Sequence, residues 1–488
     1  MHGRVRTKVN YFNDLREKWC GASNCVQMNS TSASPWPQRA DHAAVWRLAW
    51  PMIVSNLSVP LLGLVDAAIL GHLPDARYLA AVAVATSLFG FLFWGFGFLR
   101  MGTTGLVAQQ LGSEDEDAEA RARKNAALRL LTAQGSVLGL ALGVLVLLLA
   151  PLLFPLGLAL MGAPADAGAE AARYFEIRIF SAPAVLLTYA LTGVLVGLQD
   201  TRSVLAITVT TNLINIGLDL LFVPGLGMRT EGVALATLIA EWSGCIVAIR
   251  LAQQRLAALP AALDWAALRD PDRYRRLLAV NGQLFVRTLA LLGSLAFFTA
   301  QGARQGELVL AANALLMNLL MATSYGLDGF AHAVEALSGR HLGARDRGAF
   351  RRTLHSAALF SLVTAGTFTG LFLIAGPEVI ALLTDITEVR ALAAAYLPWL
   401  TALPLVAVWC YLFDGLAIGV TETRAMRDSM LISALLVYLP LWWWTRGWGN
   451  DGLWLALLAF FAARGLTLGG ALWHRGVLSA QSDFLGRG

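Results

Sequence analysis

The sequence predicts an all-α polytopic membrane protein: twelve transmembrane helices in two six-helix lobes related by a pseudo-twofold axis along the membrane normal. Three observations predict it. Hydrophobic residues make up 57% and charged residues 14% of the 488 positions, and mean hydropathy is +0.60, so lipid is the solvent for most of the chain. Twelve mostly apolar stretches reach the roughly 20 residues that a crossing needs. The first six of them are echoed by the last six. The net charge of +5 comes mostly from arginines between apolar runs. That pattern belongs to membrane orientation and leaves no basic patch for nucleic acid.

The predicted spans lie near 45–70, 78–110, 125–153, 171–197, 203–223 and 231–250, then near 277–300, 307–339, 353–375, 391–420, 429–445 and 452–474. At about 1.5 Å per residue, the longest exceed about 30 Å of hydrocarbon, so they tilt or extend beyond it. The expected organisation is a disordered cytoplasmic tail (1–43), an N-lobe (44–250), a cytoplasmic inter-lobe loop (251–276), a C-lobe (277–477) and a cytoplasmic C-terminal tail (478–488). The first forty residues lack the apolar core and cleavage site of a signal peptide, and Met28 is a plausible true start. Cys20, Cys25, Cys245 and Cys410 are too scattered for a disulfide or metal framework.

Alternate loops set the orientation. Loops 112–124, 198–203, 250–276, 340–352 and 421–428 together carry 17 Lys and Arg, against 4 in the opposite set, so both termini are expected in the cytoplasm. The expected location is the bacterial inner membrane. Tyr174, Gly193, Gly197, Thr201 and Arg202 recur 222 residues later as Tyr396, Gly415, Gly419, Thr423 and Arg424, and Leu111-Gly112 recurs as Leu342-Gly343. An even number of helices separates the copies, so they run in the same direction. A cleft between two such halves is the expected substrate path.

An ionisable side chain inside a span costs at least about 2.5–3.5 kcal/mol, so each one needs a reason. Asp66 lies five residues before Gly71 at the outer end of the first span, and Asp219 five before Pro224 at the outer end of the fifth. Thr237 enters the sixth span from the same side. Asn212, Asn215 and Asp219 share one helix face. Two carboxylates, two carboxamides and a hydroxyl are thus expected to converge, where one carboxyl exchanges a proton or the oxygens hold Na⁺; the structural alternative is that each acid pairs with an arginine or caps a broken helix. Pro51, fifteen residues before Asp66, is a static bend or, if coupled to Asp66, a hinge. In the second half, Asp328, His332 and Glu335 form one stripe, Asp414 lies in the tenth span, and Arg287 is expected to pair with one of these acids or to contact substrate. Arg100 and Glu241 read as structural partners, and Arg178 and Arg464 complete the set. No Walker loop, HExxH, Gly-x-Ser-x-Gly or Cys-x-x-Cys is present, so no enzyme template applies and an ion gradient is the energy source.

Trp46-Arg47-Leu48-Ala49-Trp50-Pro51 leading to Gly63-Leu64-Val65-Asp66 and Gly71-His72-Leu73 resembles the first helix of the multidrug and toxic compound extrusion (MATE) family, DinF-like branch. Leu99-Arg100-Met101-Gly102-Thr103-Thr104-Gly105 is similar to its second helix. Gly197-Leu198-Gln199-Asp200-Thr201-Arg202 with Asn215-Ile216-Gly217-Leu218-Asp219 is similar to its fourth-to-fifth helix stretch. The resemblance covers residues 44–477 and implies a V-shaped exporter of amphipathic or cationic compounds in exchange for H⁺ or Na⁺. It implies that Asp66 is the coupling aspartate, Pro51 the bending proline, and Asn215, Asp219 and Thr237 the ion-site positions beside it. Asp414 in Phe413-Asp414-Gly415 resembles the tenth-helix acid of the NorM-type branch. Residues 283–291 hold Arg287 and no acid, a departure from that branch that favours H⁺.

The expected partners are small amphipathic or cationic molecules and membrane lipid, with no nucleic acid, no cofactor beyond the coupling ion, and a monomeric state. A lipid-linked precursor flippase is the rival within the superfamily and requires several cations for pyrophosphate. A membrane-embedded enzyme or receptor is the rival from another class.

Overall fold

A computed structural model describes residues 36–71, 76–113, 117–161 and 165–478. The expected tail through residue 35, with Cys20, Cys25 and Met28, lies outside the described residues, as do His72, Leu73, parts of the loops 112–124 and 154–170, and the C-terminal tail from residue 479. Among the described residues, twelve helices are long and apolar enough to cross a membrane: α1 (Arg39–Gly71), α2 (Ala80–Gly112), α3 (Ala118–Ala159), α4 (Gly168–Gly197), α5 (Thr201–Gly225), α6 (Thr230–Ala257), α7 (Pro271–Arg304), α8 (Glu307–Gly343), α9 (Arg347–Leu383), α10 (Thr387–Gly419), α11 (Thr423–Trp448) and α12 (Asn450–His474). With 42 residues, α3 runs about 63 Å. Its first turns, carrying Arg121, Arg123 and Lys124, therefore project beyond the apolar layer.

Packing repeats between the halves. α4 packs against α2, α3 and α6, as α10 packs against α8, α9 and α12; α1 packs on α5 as α7 does on α11. Between the lobes α2 meets α8, while α1 reaches across to α8 and α7 to α2. This exchange of partners is what a twofold axis passing beside α2 and α8 produces. The two arms are unequal, because α1 also lies against α9.

The repeated sequence motifs mark backbone contacts. A Cβ on Gly112 would fall 1.9 Å from the Arg340 carbonyl oxygen, and one on Gly343 would fall 2.0 Å from that of Gln109. Only glycine permits this reciprocal approach of α2 and α8. Gly193 and Gly415 do the same inside the lobes, each against the backbone of α2 or α8, at Arg100 and Ala331 respectively. Side chains complete the reciprocity: Gln109 donates to Gly419 O (2.8 Å) and Thr421 Oγ1 (3.2 Å), and Arg340 donates to Gln199 Oε1 (2.9 Å). Gln199 and Thr421 share left-handed backbone, φ 63° and 57°. All of this lies at the end carrying the arginine-rich loops. Farther along, the last hydrogen bond between the lobes runs from Asn56 Nδ2 to Tyr325 O (3.5 Å) among the described residues.

The connection between lobes is itself ordered. Arg129 of α3 holds it by donating to Leu256 O (2.8 Å) and Leu259 O (3.1 Å), and Asp264 caps a short helix, Trp265–Arg269, through Ala267 N.

Candidate functional site

α1 carries Asp66 just over one turn before its end, and α5 carries Asn215 and Asp219 one turn apart on the face toward α1 and α6. Asp219 is 0% and Asn215 1% exposed. The Asp66 and Asp219 carboxyl groups lie within electrostatic reach of one another. Ionised carboxylates only accept, so two of them associate through a shared proton, an intervening cation or a bridging water. Asn215 Nδ2 donates to Thr237 Oγ1 (3.3 Å), which donates onward to Val233 O (2.9 Å). What remains is a set of buried acceptors that no donor among the described residues reaches: Asp66 Oδ1, both Asp219 oxygens and Asn215 Oδ1. Buried polar atoms are nearly always satisfied, so four such oxygens on three neighbouring residues suit a proton, a cation or ordered water.

Below this pair a polar seam joins α1 to α5. Ser55 donates to Thr208 Oγ1 (2.7 Å), Ser58 to Ser55 O (2.7 Å), and Asn212 Nδ2 to both Ser58 O (3.3 Å) and Ser58 Oγ (3.1 Å). Asn212 is thus a helix-to-helix clamp one turn below Asn215. Pro51 is buried in an uninterrupted α1 that also holds an exposed Pro60. The two imino nitrogens leave the Arg47 and Asn56 carbonyls without their helical donors. Sequence reasoning passed over Pro60, Ser55, Ser58 and Thr208. Their signal was available, since Thr208, Asn212, Asn215 and Asp219 form one continuous stripe at spacings of four, three and four.

The arginines inside the membrane are paired. Arg178 of α4 donates to Glu241 Oε1 of α6 (3.1 Å) and Tyr174 Oη (3.1 Å), with its guanidinium 4.8 Å from the Phe89 ring centroid. Arg287 of α7 donates to Asp414 Oδ2 of α10, and Arg464 of α12 donates to the same oxygen at 2.8 Å. Arg464, without a role in the sequence reading, is the second guanidinium that makes this cluster. Arg100 of α2 reaches Glu335 Oε2 (3.0 Å) and His332 Nδ1 (3.1 Å) of α8, and His332 Nδ1 lies 3.2 Å from Glu335 Oε1. Asp328, one turn from His332, makes no hydrogen bond among the described residues, although it lies within electrostatic reach of His332, Arg100, Glu335 and Asp414. The structure therefore gathers Asp66, Asn215, Asp219 and Thr237 in the N-lobe. It places His332 and Glu335 at the lobe interface and Arg287 with Asp414 inside the C-lobe.

Between α4 and α5, outside the spans, Asp200 accepts from Arg255 Nε (2.5 Å), Ser203 Oγ (2.5 Å) and Ser203 N (3.3 Å). Burial opposes its ionisation, but the Arg255 and Ser203 bonds outweigh burial and hold its carboxyl below the usual range. Among the described residues no group of three or more His, Cys, Asp or Glu is arranged to hold a metal.

The family model MatE matches residues 51–221 and 284–444. The chain is 42% identical over 433 residues to DNA damage-inducible protein F of Escherichia coli (strain K12), covering 88% of this chain and 92% of the relative. Among solved structures it is similar to a mutant of the Vibrio cholerae MATE transporter VcmN (TM-score 0.79, 22% identity, 90% and 98% of the two chains). It is also similar to a multidrug resistance MATE family transporter in an outward-facing conformation (TM-score 0.78, 19% identity, 90% and 96%).

Proposed function

Because the chain belongs to the MatE family, we propose that it is a proton-coupled antiporter exporting amphipathic or cationic compounds by alternating access. At the coarser level it is a multidrug and toxic compound efflux transporter, not an enzyme. The observation that carries the finer reading is the Asp66–Asp219 pair, whose three undonated oxygens lie with that of Asn215 among the described residues. A proton on the pair lets one carboxyl donate to the other and the site closes; its loss leaves two facing charges that repel by several kcal/mol at low dielectric. That repulsion acts on α1 near its end. Pro51 and Pro60 let the upper part of the helix yield, so a change of charge becomes a movement of the cleft wall. Na⁺ is the second reading, favoured by the number of undonated oxygens around Asp219 and by the Thr237 hydroxyl beside them.

The moving bodies are the N-lobe (44–250) and C-lobe (277–477), tethered by 251–276. The arginine-rich loops support an orientation with both termini on the cytoplasmic side of a bacterial inner membrane. The reciprocal Gly112 and Gly343 contacts bring α2 and α8 together on that side, which supports a cleft that opens outward. The interior arginines pair with Glu241, Glu335 and Asp414, which speaks against a flippase lining built for pyrophosphate. The protein is proposed to act as a monomer on small molecules.

The test is efflux of a fluorescent cation from proteoliposomes under an imposed pH gradient and, separately, an imposed Na⁺ gradient. Proton coupling predicts transport driven by pH and abolished by Asp66→Asn. Undiminished gradient-driven transport in Asp66→Asn contradicts the proposal, and transport driven by Na⁺ alone selects the second reading.

A further inference from the structure

Arg100 is a partly buried cation that one lobe lends to the other. It stands twelve residues from Gly112 on α2, about 18 Å into the membrane from the cytoplasmic end, and its partners Glu335 and His332 are on α8. Glu335 is 2% exposed, so the pair is sealed while α2 and α8 stay in contact. Alternating access parts these helices on that side. Arg100 then withdraws, and the buried Glu335 carboxylate, which no other guanidinium reaches among the described residues, is left uncompensated unless another cation replaces it.

The α8 stripe is built to bond in both states. His332 Nδ1 lies within reach of both Arg100 (3.1 Å) and Glu335 (3.2 Å), but a ring nitrogen either accepts or donates. With Arg100 present it accepts the guanidinium; with Arg100 gone it is free to donate to Glu335. One turn away, Asp328 has electrostatic but no hydrogen-bonding partners among the described residues. The stripe therefore offers a further carboxyl group beyond the two side chains that Arg100 contacts. Asp414 and Glu241 are not available for this exchange: Asp414 holds two arginines and Glu241 holds Arg178.

We propose that Asp328, His332 and Glu335 form a cation subsite on α8 that Arg100 fills when the lobes meet and the cationic group of the cargo fills when they part. Arg100 is then a tethered competitor of the cargo: it closes the empty transporter, and cargo entering from the cytoplasm takes its place. This rests on the export reading above, and its test uses equilibrium binding, which needs no gradient.

The experiment is fluorescence polarisation of a cationic rhodamine on purified full-length protein in detergent. The variants are Arg100→Gln, Arg100→Lys, Glu335→Gln and Arg100→Gln/Glu335→Gln, each checked for monodispersity. Arg100→Gln is expected to bind the dye about tenfold more tightly than wild type, as removal of a competitor worth about 1.4 kcal/mol requires. Arg100→Lys, which keeps the charge, is expected to resemble wild type. The double variant is expected to lose the gain, and a zwitterionic rhodamine to show none. Unchanged or weaker dye binding by Arg100→Gln overturns the proposal, as does a gain that survives in the double variant. If proton-driven efflux by wild type persists alongside either result, the subsite fails and the transport reading stands.

Discussion

The two lobes share a backbone plan but hold opposite chemistry where α1 meets α5 and α7 meets α11. In the N-lobe that contact carries Asp66, Asn215 and Asp219, with four buried oxygens lacking donors. In the C-lobe the positions 222 residues after Asn215 and Asp219 are Val437 and Leu441, and the helices meet through rings: Phe297 stands edge-on to Tyr438 (5.7 Å) and to Trp442 (4.9 Å). The C-lobe keeps its charge deeper, as Asp414 held by two arginines. Asp66 and Asp219 have oxygens that an exchanging ion would satisfy, whereas Asp414 already holds two guanidiniums. The repeat supplies matching surfaces for the glycine contacts at the axis, and the proposed ion exchange falls where the two lobes diverge.

This comparison can be broken most forcefully in the C-lobe. Asp414→Ala strands two buried guanidiniums and is expected to destabilise the protein by about 3–5 kcal/mol, read as a large fall in thermal midpoint in detergent; a midpoint near wild type would show that the cluster is not structural. The second prediction exchanges chemistry between the lobes. Leu441→Asp places a carboxyl among apolar neighbours at a cost of about 2.5–3.5 kcal/mol, whereas Asp219→Leu removes undonated oxygens and is expected to leave the midpoint unchanged or higher while abolishing coupling. Equal destabilisation by both would remove the distinction. At the axis, Gly112→Ala and Gly343→Ala should behave alike, each costing about 1–3 kcal/mol through overpacking, and trypsin accessibility of the loops near 113 and 344 should rise in both. Unequal effects would mean that the twofold contact is not shared.

The smallest effect is expected at Asp200, whose side chain caps α5. Asp200→Ala should cost about 1 kcal/mol. Because the folded carboxyl sits below its usual range, its stabilising contribution is fully present above the unfolded value near 3.9 and disappears as the pH falls through the lower folded value. The thermal midpoints of wild type and Asp200→Ala should therefore converge in acid.

Much of this plan is legible in the sequence because lipid enforces simple rules. Apolar length defines spans, and the cost of intramembrane charge points to Asp66 and Asp219. Pairing is less legible. Arg287 faces several acids at compatible depth, and only the crossing of α7, α10 and α12 selects Asp414 and adds Arg464. The Leu-Gly repeat is visible at 111–112 and 342–343, but its meaning, each glycine against the other helix's carbonyl, exists only in three dimensions. The Ser55, Ser58 and Thr208 seam is easily overlooked for a different reason. Hydroxyls return a bond to their own helix, as Ser58 does to Ser55 O, so they cost little in an apolar span and carry a weak signal.

The central claim is that the exchangeable proton belongs to the N-lobe pair, and proton release on cargo binding tests it most directly. A cationic cargo is added to purified protein in weakly buffered detergent solution, and the released protons are followed with a pH-indicator dye for wild type, Asp219→Asn and the C-lobe control Tyr438→Phe, whose hydroxyl is buried without a partner. The account predicts release by wild type and Tyr438→Phe and none by Asp219→Asn. Full release by Asp219→Asn would contradict it.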